Sequence, residues 1–390
     1  MGNESPSASV GGGVLLFQPF PFDMLGGVDV VVENLWRGLE RVDPGLATIG
    51  IQDWIDAGDR VDNEGRRFIH LNFPSLPPAE NGAFLRYLIT LACRIPRILW
   101  ELRRKRIRLV NFHFPTLNVF PLAVARRVGL WRGRIVLSFH GSDALAIDPR
   151  SPAWRFIASQ VDVVTACSAD LARRVAALNL FRDAPRVIYN GIDIQRFLAR
   201  VGDEDLPVPQ PYILNVGTFV SHKGQDVLLE AFARIASSFP EMNLVCVGGT
   251  DNGLWLEHIK EVAERNGIRE RVFFLENQSQ KKIATLMQHA ECLAHSSRRE
   301  GLPIVLIEAG ASGLAVVSTS VGGIPEIIES GEHGLLVNPE DPSALASAIT
   351  SALNAPVEAK CRAGKLKLRI NDSFSSESMT KGYLDAYLGV

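Results

Sequence analysis

Short apolar runs alternate with helix-patterned segments along almost the whole chain, and no other feature limits the fold as tightly. In the second half, "YILNVGTF", "NLVCVGG", "RVFFLEN", "ECLAHSS" and "AVVSTSV" are separated by segments of helical periodicity. In the first half, "GVLLFQPF" (13–20), "RLVNFHF" (108–114), "RIVLSFH" (134–140) and "VDVVTACS" (161–168) behave alike. Helices are expected over "GGVDVVVENLWRGLE", near 118–129, and over "ADLARRVAAL" behind Ser168 as N-cap. Strands this apolar, separated by helices, suggest parallel sheets covered on both faces. At 390 residues the chain is too long for one compact core. The Pro- and acid-rich "VGDEDLPVPQP" (201–211) reads as a linker between two like halves. The expected plan is a flexible tail over 1–12, a first domain over 13–200, the linker, a second domain over 212–370 and a last helix over 371–390 that crosses back to the first domain. Ligands of doubly wound sheets sit at the carboxyl ends of the strands, so a cleft between the two domains is the expected site.

Composition narrows the function. The formal net charge is −2 and the pI about 6.5, so no global field draws in nucleic acid. The five cysteines form no CxxC pair and read as small core residues in a reducing compartment. The start, "MGNESPSASVGGG", lacks a signal-peptide profile, and Pro6 occupies the position where myristoylation needs Ser or Thr. No apolar stretch reaches the length of a membrane span, so a cytoplasmic protein is expected, with peripheral contact at the inner face of the cytoplasmic membrane as an option.

The strand ends carry the chemistry. "NVGTFVSHKGQDVLLEAF" puts Gly217 and Thr218 after one strand and Lys223 at the start of a helix, where backbone amides and the ammonium favour an anion. "CVGGT" ends a second strand with a glycine pair that includes Gly249, and "VSTSVGGIPEII" brings Gly322, Gly323 and Glu326 after another. Each turn alone is explained as a tight turn; three at one sheet edge suit an extended anionic ligand. In "SSRREGLPIVLIEAGASG", Glu300 lies just before a helix whose first position suits Pro303, and Glu308 lies about a turn and a half inside it. The backbone from Gly301 through Leu302 and Pro303 to Ile304 faces an anion at the helix start, with one carboxylate for hydroxyls at either end. A nucleotide sugar has this layout. The helix dipole alone accounts for Glu300 but not for Glu308 among Leu, Ile and Ala.

The second half, from "VIYNGID" near 186 to about 350, resembles the retaining glycosyltransferases of family 4, which have the GT-B fold: two Rossmann-like, doubly wound α/β domains facing an interdomain cleft. The E-x7-E signature is met by Glu300 and Glu308, the phosphate turn by Gly217 to Gly224, and the GG-x-x-E-x-I turn by Gly322, Gly323 and Glu326. In the first half, "GGVDVVVENL" looks like the family's glycine loop and "SFHGSD" like its HG motif. The resemblance implies that Glu300 binds donor-sugar hydroxyls, Glu308 the ribose, Lys223 the departing diphosphate and His140 the sugar, with Gly26 and Gly27 bordering the leaving group and acceptor. It implies transfer of a hexose from a UDP- or GDP-sugar to an acceptor hydroxyl, with retention by front-face attack; with Lys223, three glycine turns and a helix start at the site, no metal or other cofactor is expected. Many members carry Arg after the first glycine of the phosphate turn. Here Thr218 stands there, with Arg298, Arg299 or His222 as alternatives to Lys223 acting with helix amides alone. Two further readings share the site: a nucleotide-sugar 2-epimerase, and a non-catalytic sugar-nucleotide-binding protein.

Three features lie outside that scheme. Asp203-Glu204-Asp205 has a DxD spacing but reads as a solvated charge run. His140, His222, His258, His289 and His295 show no ligand spacing, so no metal site is expected. The segment "FLRYLITLACRIPRILWELRRKRIRL" (84–109) ends in a basic cluster, and Pro96 is expected to kink or divide it. It reads as a core-packed helix with a solvated basic end, or as a peripheral membrane contact serving a lipid-linked glycan acceptor in surface polysaccharide assembly.

Overall fold

The structure, a computed structural model, describes residues 12–20, 26–52, 59–62, 65–77, 83–198, 206, 208–250 and 253–390. Most of the expected tail, most of the linker and the triplet Asp203-Glu204-Asp205 lie outside the described residues. The chain divides into two compact units. One comprises Met1–Met24, Val31–Tyr189 and Met379–Val390, the other Leu25–Val30 and Asn190–Ser378.

In the first unit the strands are β1 (Gly13–Gln18), β2 (Ala47–Gln52), β3 (Asp59–Val61), β4 (Arg67–Leu71), β5 (Ile107–His113), β6 (Arg134–Phe139), β7 (Val163–Ala166) and β8 (Arg186–Val187). They form a sheet in the order β3-β4-β2-β1-β5-β6-β7-β8. All pairs are parallel except β3 with β4, which run antiparallel at the edge. The four apolar runs expected as strands become β1, β5, β6 and β7. The remaining strands are short or carry polar residues, so periodicity left them unmarked. Phe17, Phe73 and Phe112 pack edge-on with centroids 4.7, 5.3 and 5.4 Å apart. A polar chain crosses β7, β6 and β5: Thr165 donates to Ser138 at 2.9 Å, Ser138 to Asn111 at 2.8 Å, and Asn111 Nδ2 to the Tyr387 hydroxyl at 2.8 Å. Tyr387 belongs to the last helix, Ser376–Leu388, which completes this core.

The helix Ala83–Arg104 runs through Pro96 undivided. Pro96 and Ala92, whose carbonyl loses its partner, are both exposed, so that carbonyl is open to solvent. Its inner face buries Tyr87, Leu91, Ile98, Leu99 and Leu102, while Leu88, Ile89 and Trp100 are exposed. No helix among the described residues is long and apolar enough to cross a membrane.

The second unit holds β9 (Tyr212–Val216), β10 (Asn243–Gly248), β11 (Val272–Glu276), β12 (Cys292–His295), β13 (Val316–Thr319) and β14 (Leu335–Val337), in the order β11-β10-β9-β12-β13-β14, all parallel. The helices Gln225–Ile235 and Pro342–Asn354 cover one face around Leu228, Phe232, Leu244 and Ile349. Cys167, Cys246 and Cys292 are buried as expected, but Cys93 and Cys361 are exposed on outer helix faces and are not core residues. In each sheet the strand order reverses once, between β1 and β5 and between β9 and β12. The carboxyl ends of those four strands are therefore where ligands of such sheets bind.

Candidate active site

In the second unit the loops after β9 and β12 flank the reversal, and they carry Gly217, Thr218 and Lys223 on one side and Glu300 to Glu308 on the other. The two loops are packed against each other. Gly224 has φ +65°, and a Cβ there would stand 2.2 Å from the Ser296 carbonyl oxygen. Gly322, at φ +55°, would put a Cβ 2.0 Å from the carbonyl of Glu300. Only glycine permits both approaches. The Arg298 N–H donates to the His222 carbonyl at 2.8 Å and Ser296 Oγ to that of Lys223 at 3.1 Å, locking the turn in place. Gly249 closes the next strand end, its carbonyl accepting from Phe219 N–H at 2.8 Å.

Within this frame one carboxylate oxygen gathers three donors. Glu300 Oε1 accepts from Lys223 Nζ at 2.7 Å, His295 Nε2 at 3.0 Å and Ser297 Oγ at 2.6 Å. Burial would raise this carboxyl. The Lys223 charge and the His295 hydrogen bond more than offset it and hold Glu300 well below the usual carboxylate range. His295 and Ser297 were not singled out by sequence. Their signal was position, at the carboxyl end of β12.

Glu308 presents the opposite situation. It is the fifth residue of the helix Ile304–Ser312, 3 % exposed, and its Oε1 has no hydrogen-bond partner among the described residues. Burial pushes its carboxyl up to about 7. An orphaned buried acceptor is rare in folded proteins, and a ligand hydroxyl is the natural donor for it. Pro303 is the N-cap, not the first helical residue, because its ψ of 118° is still extended. Gly301, Leu302, Pro303 and Ile304 are buried, and the Leu302 carbonyl accepts from Asn190 Nδ2 at 3.0 Å.

In the first unit His140 follows β6, and His113, the last residue of β5, meets it. His113 Nδ1 and His140 Nε2 are 3.0 Å apart. Burial lowers both imidazoles, His140 to about 4, and the neighbouring ring adds to the effect on His113. The two neutral rings therefore share one proton, and the outer nitrogens, His113 Nε2 and His140 Nδ1, are buried without partners among the described residues. The loop is pinned by Asp143, whose carboxylate accepts from the N–H groups of His140 at 2.9 Å, Gly141 at 2.7 Å and Ala144 at 3.0 Å. Gly26 and Gly27 stand at the start of the helix Gly27–Val42, after β1.

A profile described as glycosyl transferases group 1 matches residues 201–366, and one described as Glycosyltransferase Family 4 matches residues 25–196. A GDP-mannose-dependent alpha-(1-6)-phosphatidylinositol monomannoside mannosyltransferase of Mycolicibacterium smegmatis is 30% identical over 282 residues, 68% of this chain and 72% of that protein. The chain belongs to glycosyltransferase family 4. A second relative of this glycosyltransferase is the N-acetyl-alpha-D-glucosaminyl L-malate synthase of Bacillus anthracis, 25% identical over 78% of this chain and 80% of that one. The HepE protein of Anabaena, crystallised with UDP and glucose, superposes with a TM-score of 0.77 at 18% identity, covering 97% of this chain and 100% of that one. The GT-B architecture of two parallel-sheet α/β domains follows.

Of the cations that could stand in for the family arginine at Thr218, one is committed elsewhere in this glycosyltransferase. Arg298 is bidentate to Asp226 at 2.9 and 2.8 Å and also paired with Glu340; the hydrogen bonds to Asp226 raise its already high pKa further. His222 is half-buried, and burial followed by the Lys223 charge lowers it, so it is a poor cation at neutral pH. Arg299 is exposed. Among the described residues Glu329, Glu332 and His333 lie close enough together to hold a metal ion. His333 Nδ1 already accepts from the Glu329 N–H at 3.3 Å, and Glu332 pairs with Lys365 at 3.5 Å.

Proposed function

We propose that this glycosyltransferase moves a hexose from a UDP- or GDP-sugar to an acceptor hydroxyl, with retention at the anomeric carbon and without a metal. The observation that carries the reading is the pair of carboxylates around one helix start: Glu300, ionised and held by Lys223, and Glu308, buried with an unmet acceptor. The diphosphate takes Lys223 over from Glu300, freeing that carboxylate for sugar hydroxyls, while ribose hydroxyls donate to Glu308. Attack and departure occur on one face of the sugar. The bond from the anomeric carbon to the β-phosphate oxygen breaks, the acceptor oxygen bonds to that carbon, and the leaving phosphate takes the acceptor proton. Lys223 and the backbone amides at the helix start offset the charge that develops on the phosphate. His140 contacts the sugar, and Gly26 and Gly27 border the leaving group. The use of GDP-mannose by the mycobacterial relative and the UDP bound to HepE support either base.

The acceptor proposed is a lipid-linked glycan at the inner face of the cytoplasmic membrane. It is supported by the exposed Leu88, Ile89 and Trp100 on one helix and by the lipid named for the mycobacterial relative's reaction. Loss of vesicle co-sedimentation in Trp100→Ser is expected; unchanged binding removes the membrane part of the reading.

The main test is calorimetry with UDP and GDP in excess chelator, together with donor hydrolysis. Binding persists under chelation. Glu300→Ala nearly abolishes turnover and leaves nucleotide binding, whereas Glu308→Ala weakens binding by about 1.5–3 kcal/mol. Reversed behaviour of the two variants, or binding lost with the metal, overturns the assignment.

A further inference from the structure

The basic run at 103–108 is split by the fold into two sets. Arg104 and Lys105 turn to Asp59 at 2.6 and 2.8 Å, and Arg104 also to Glu101 at 2.7 Å. Arg103, Arg106 and Arg108 turn the other way and are joined by Arg132 from the loop before β6. These four line a hollow of about 670 Å3. It lies at the amino-terminal ends of β5 and β6, the sheet edge opposite the one that carries His113 and His140.

Among the described residues none that lines this hollow carries a negative charge. Among the described residues Arg106, Arg108 and Arg132 have no acidic partner, and Arg103 donates only to the Leu130 carbonyl, at 2.7 Å. Arg106 sits at φ +55°, a left-handed conformation that glycine or asparagine adopts with less strain. Trp131 is buried in the wall. The volume falls within the range of small-molecule sites, about 300–1,000 Å3. Guanidinium groups pair with phosphate through two parallel N–H bonds, which a lysine cannot reproduce. Four of them around one hollow concentrate positive charge that an anion would offset.

We infer that this hollow is a binding site for a phosphate-bearing ligand, distinct from the donor site and independent of the transfer reaction assigned above. The ligand is a free molecule with a mono- or diphosphate group, or the phosphate headgroup of a lipid; the chemistry recognised is the same.

Inorganic pyrophosphate is the probe. Calorimetry is run on the full chain carrying Lys223→Ala, so that the donor site's phosphate cation does not contribute. One pyrophosphate binds, more weakly as salt rises. Adding Arg106→Gln and Arg132→Gln weakens it at least about tenfold. The arginines are exposed, so melting temperatures stay unchanged, and Arg132→Gln alone, outside any strand, serves if the double variant folds poorly. Co-sedimentation with phosphatidic acid vesicles against phosphatidylcholine vesicles separates the sources. Arginine-dependent pyrophosphate binding supports the site with a free ligand, and arginine-dependent vesicle binding without pyrophosphate binding supports it with a headgroup. If neither probe responds to the arginine substitutions, the inference falls. Nucleotide binding measured on the arginine variants alone, with Lys223 intact, is expected to be unchanged and reports separately on the donor site.

Discussion

At the scale of single residues, two carboxylates eight positions apart are driven in opposite directions by their surroundings. Glu300 is stabilised as an anion by Lys223 and His295; Glu308 is buried, and among the described residues nothing donates to its Oε1. The consequence for stability has a definite sign. The Glu308 carboxyl titrates near 7 in the folded protein against about 4.3 unfolded. Its favourable contribution is complete below about pH 4 and is lost as pH rises through about 7. Glu308→Gln is therefore expected to melt higher than wild type at pH 8, by up to about 4 kcal/mol of stability, with the gain vanishing near pH 4. If ribose hydroxyls bind the anion, nucleotide affinity in wild type rises as pH increases through about 7 and is flat in the variant. Calorimetry across pH 5–9 measures this. A second residue-scale prediction concerns the two histidines. Because one proton lies between His113 Nδ1 and His140 Nε2, both rings must hold the same tautomer, either both Nδ1–H or both Nε2–H. Long-range proton–nitrogen spectra are expected to report matching tautomers, and opposite ones would exclude the shared proton. His113→Phe is expected to lower turnover on the order of tenfold, about 1.4 kcal/mol in barrier, with partial recovery in His113→Gln.

At the scale of elements, the site depends on how closely two loops approach. The turn before the helix Gln225–Ile235 lies against the end of β12 only because residue 224 has no Cβ. Gly224→Ala places a methyl against the Ser296 carbonyl in a left-handed backbone. It is expected to cost about 1–3 kcal/mol, seen as a lower denaturant midpoint, and to weaken nucleotide binding as Lys223 is displaced. Gly267, also left-handed but with open space around its Cβ position, is the control. Gly267→Ala pays only the backbone term and leaves nucleotide binding unchanged.

At the scale of the whole molecule, the chain returns late to its first unit. Tyr387 is 1 % exposed, its hydroxyl accepts from Asn111, and its carbonyl accepts from Arg134. Tyr387→Ala is expected to cost the first unit about 3–5 kcal/mol, while the nucleotide affinity of the second unit is retained. Differential scanning calorimetry, with and without nucleotide, distinguishes an early transition of one unit from loss of both. A single cooperative transition shifted as a whole would show that the two units do not unfold separately.

Much of this was written in the order of residues. Buried parallel strands cannot alternate polar and apolar side chains, so β1, β5, β6, β7 and the first five strands of the second unit stood out as apolar runs, while β14, three residues long, did not. The glycines, Lys223, Glu300 and Glu308 stood out at their ends because each is an exception to local propensity. Strands with no continuous apolar run, such as β4, did not stand out, since edge and near-edge strands take their stability from neighbours distant in sequence. Nor could His113, Asp143, His295 or Ser297 be found, because each matters through what it touches. Their partners are set by strand register and by loops closing on one another. The basic run at 103–108 makes the same point: the chain specified five basic residues around one isoleucine, but the helix-to-strand turn decided which cations meet acids and which face a hollow. Local sequence sets where backbone hydrogen bonds and apolar burial can be satisfied. Pairing between charged side chains is settled only when the tertiary structure brings distant residues within hydrogen-bond reach.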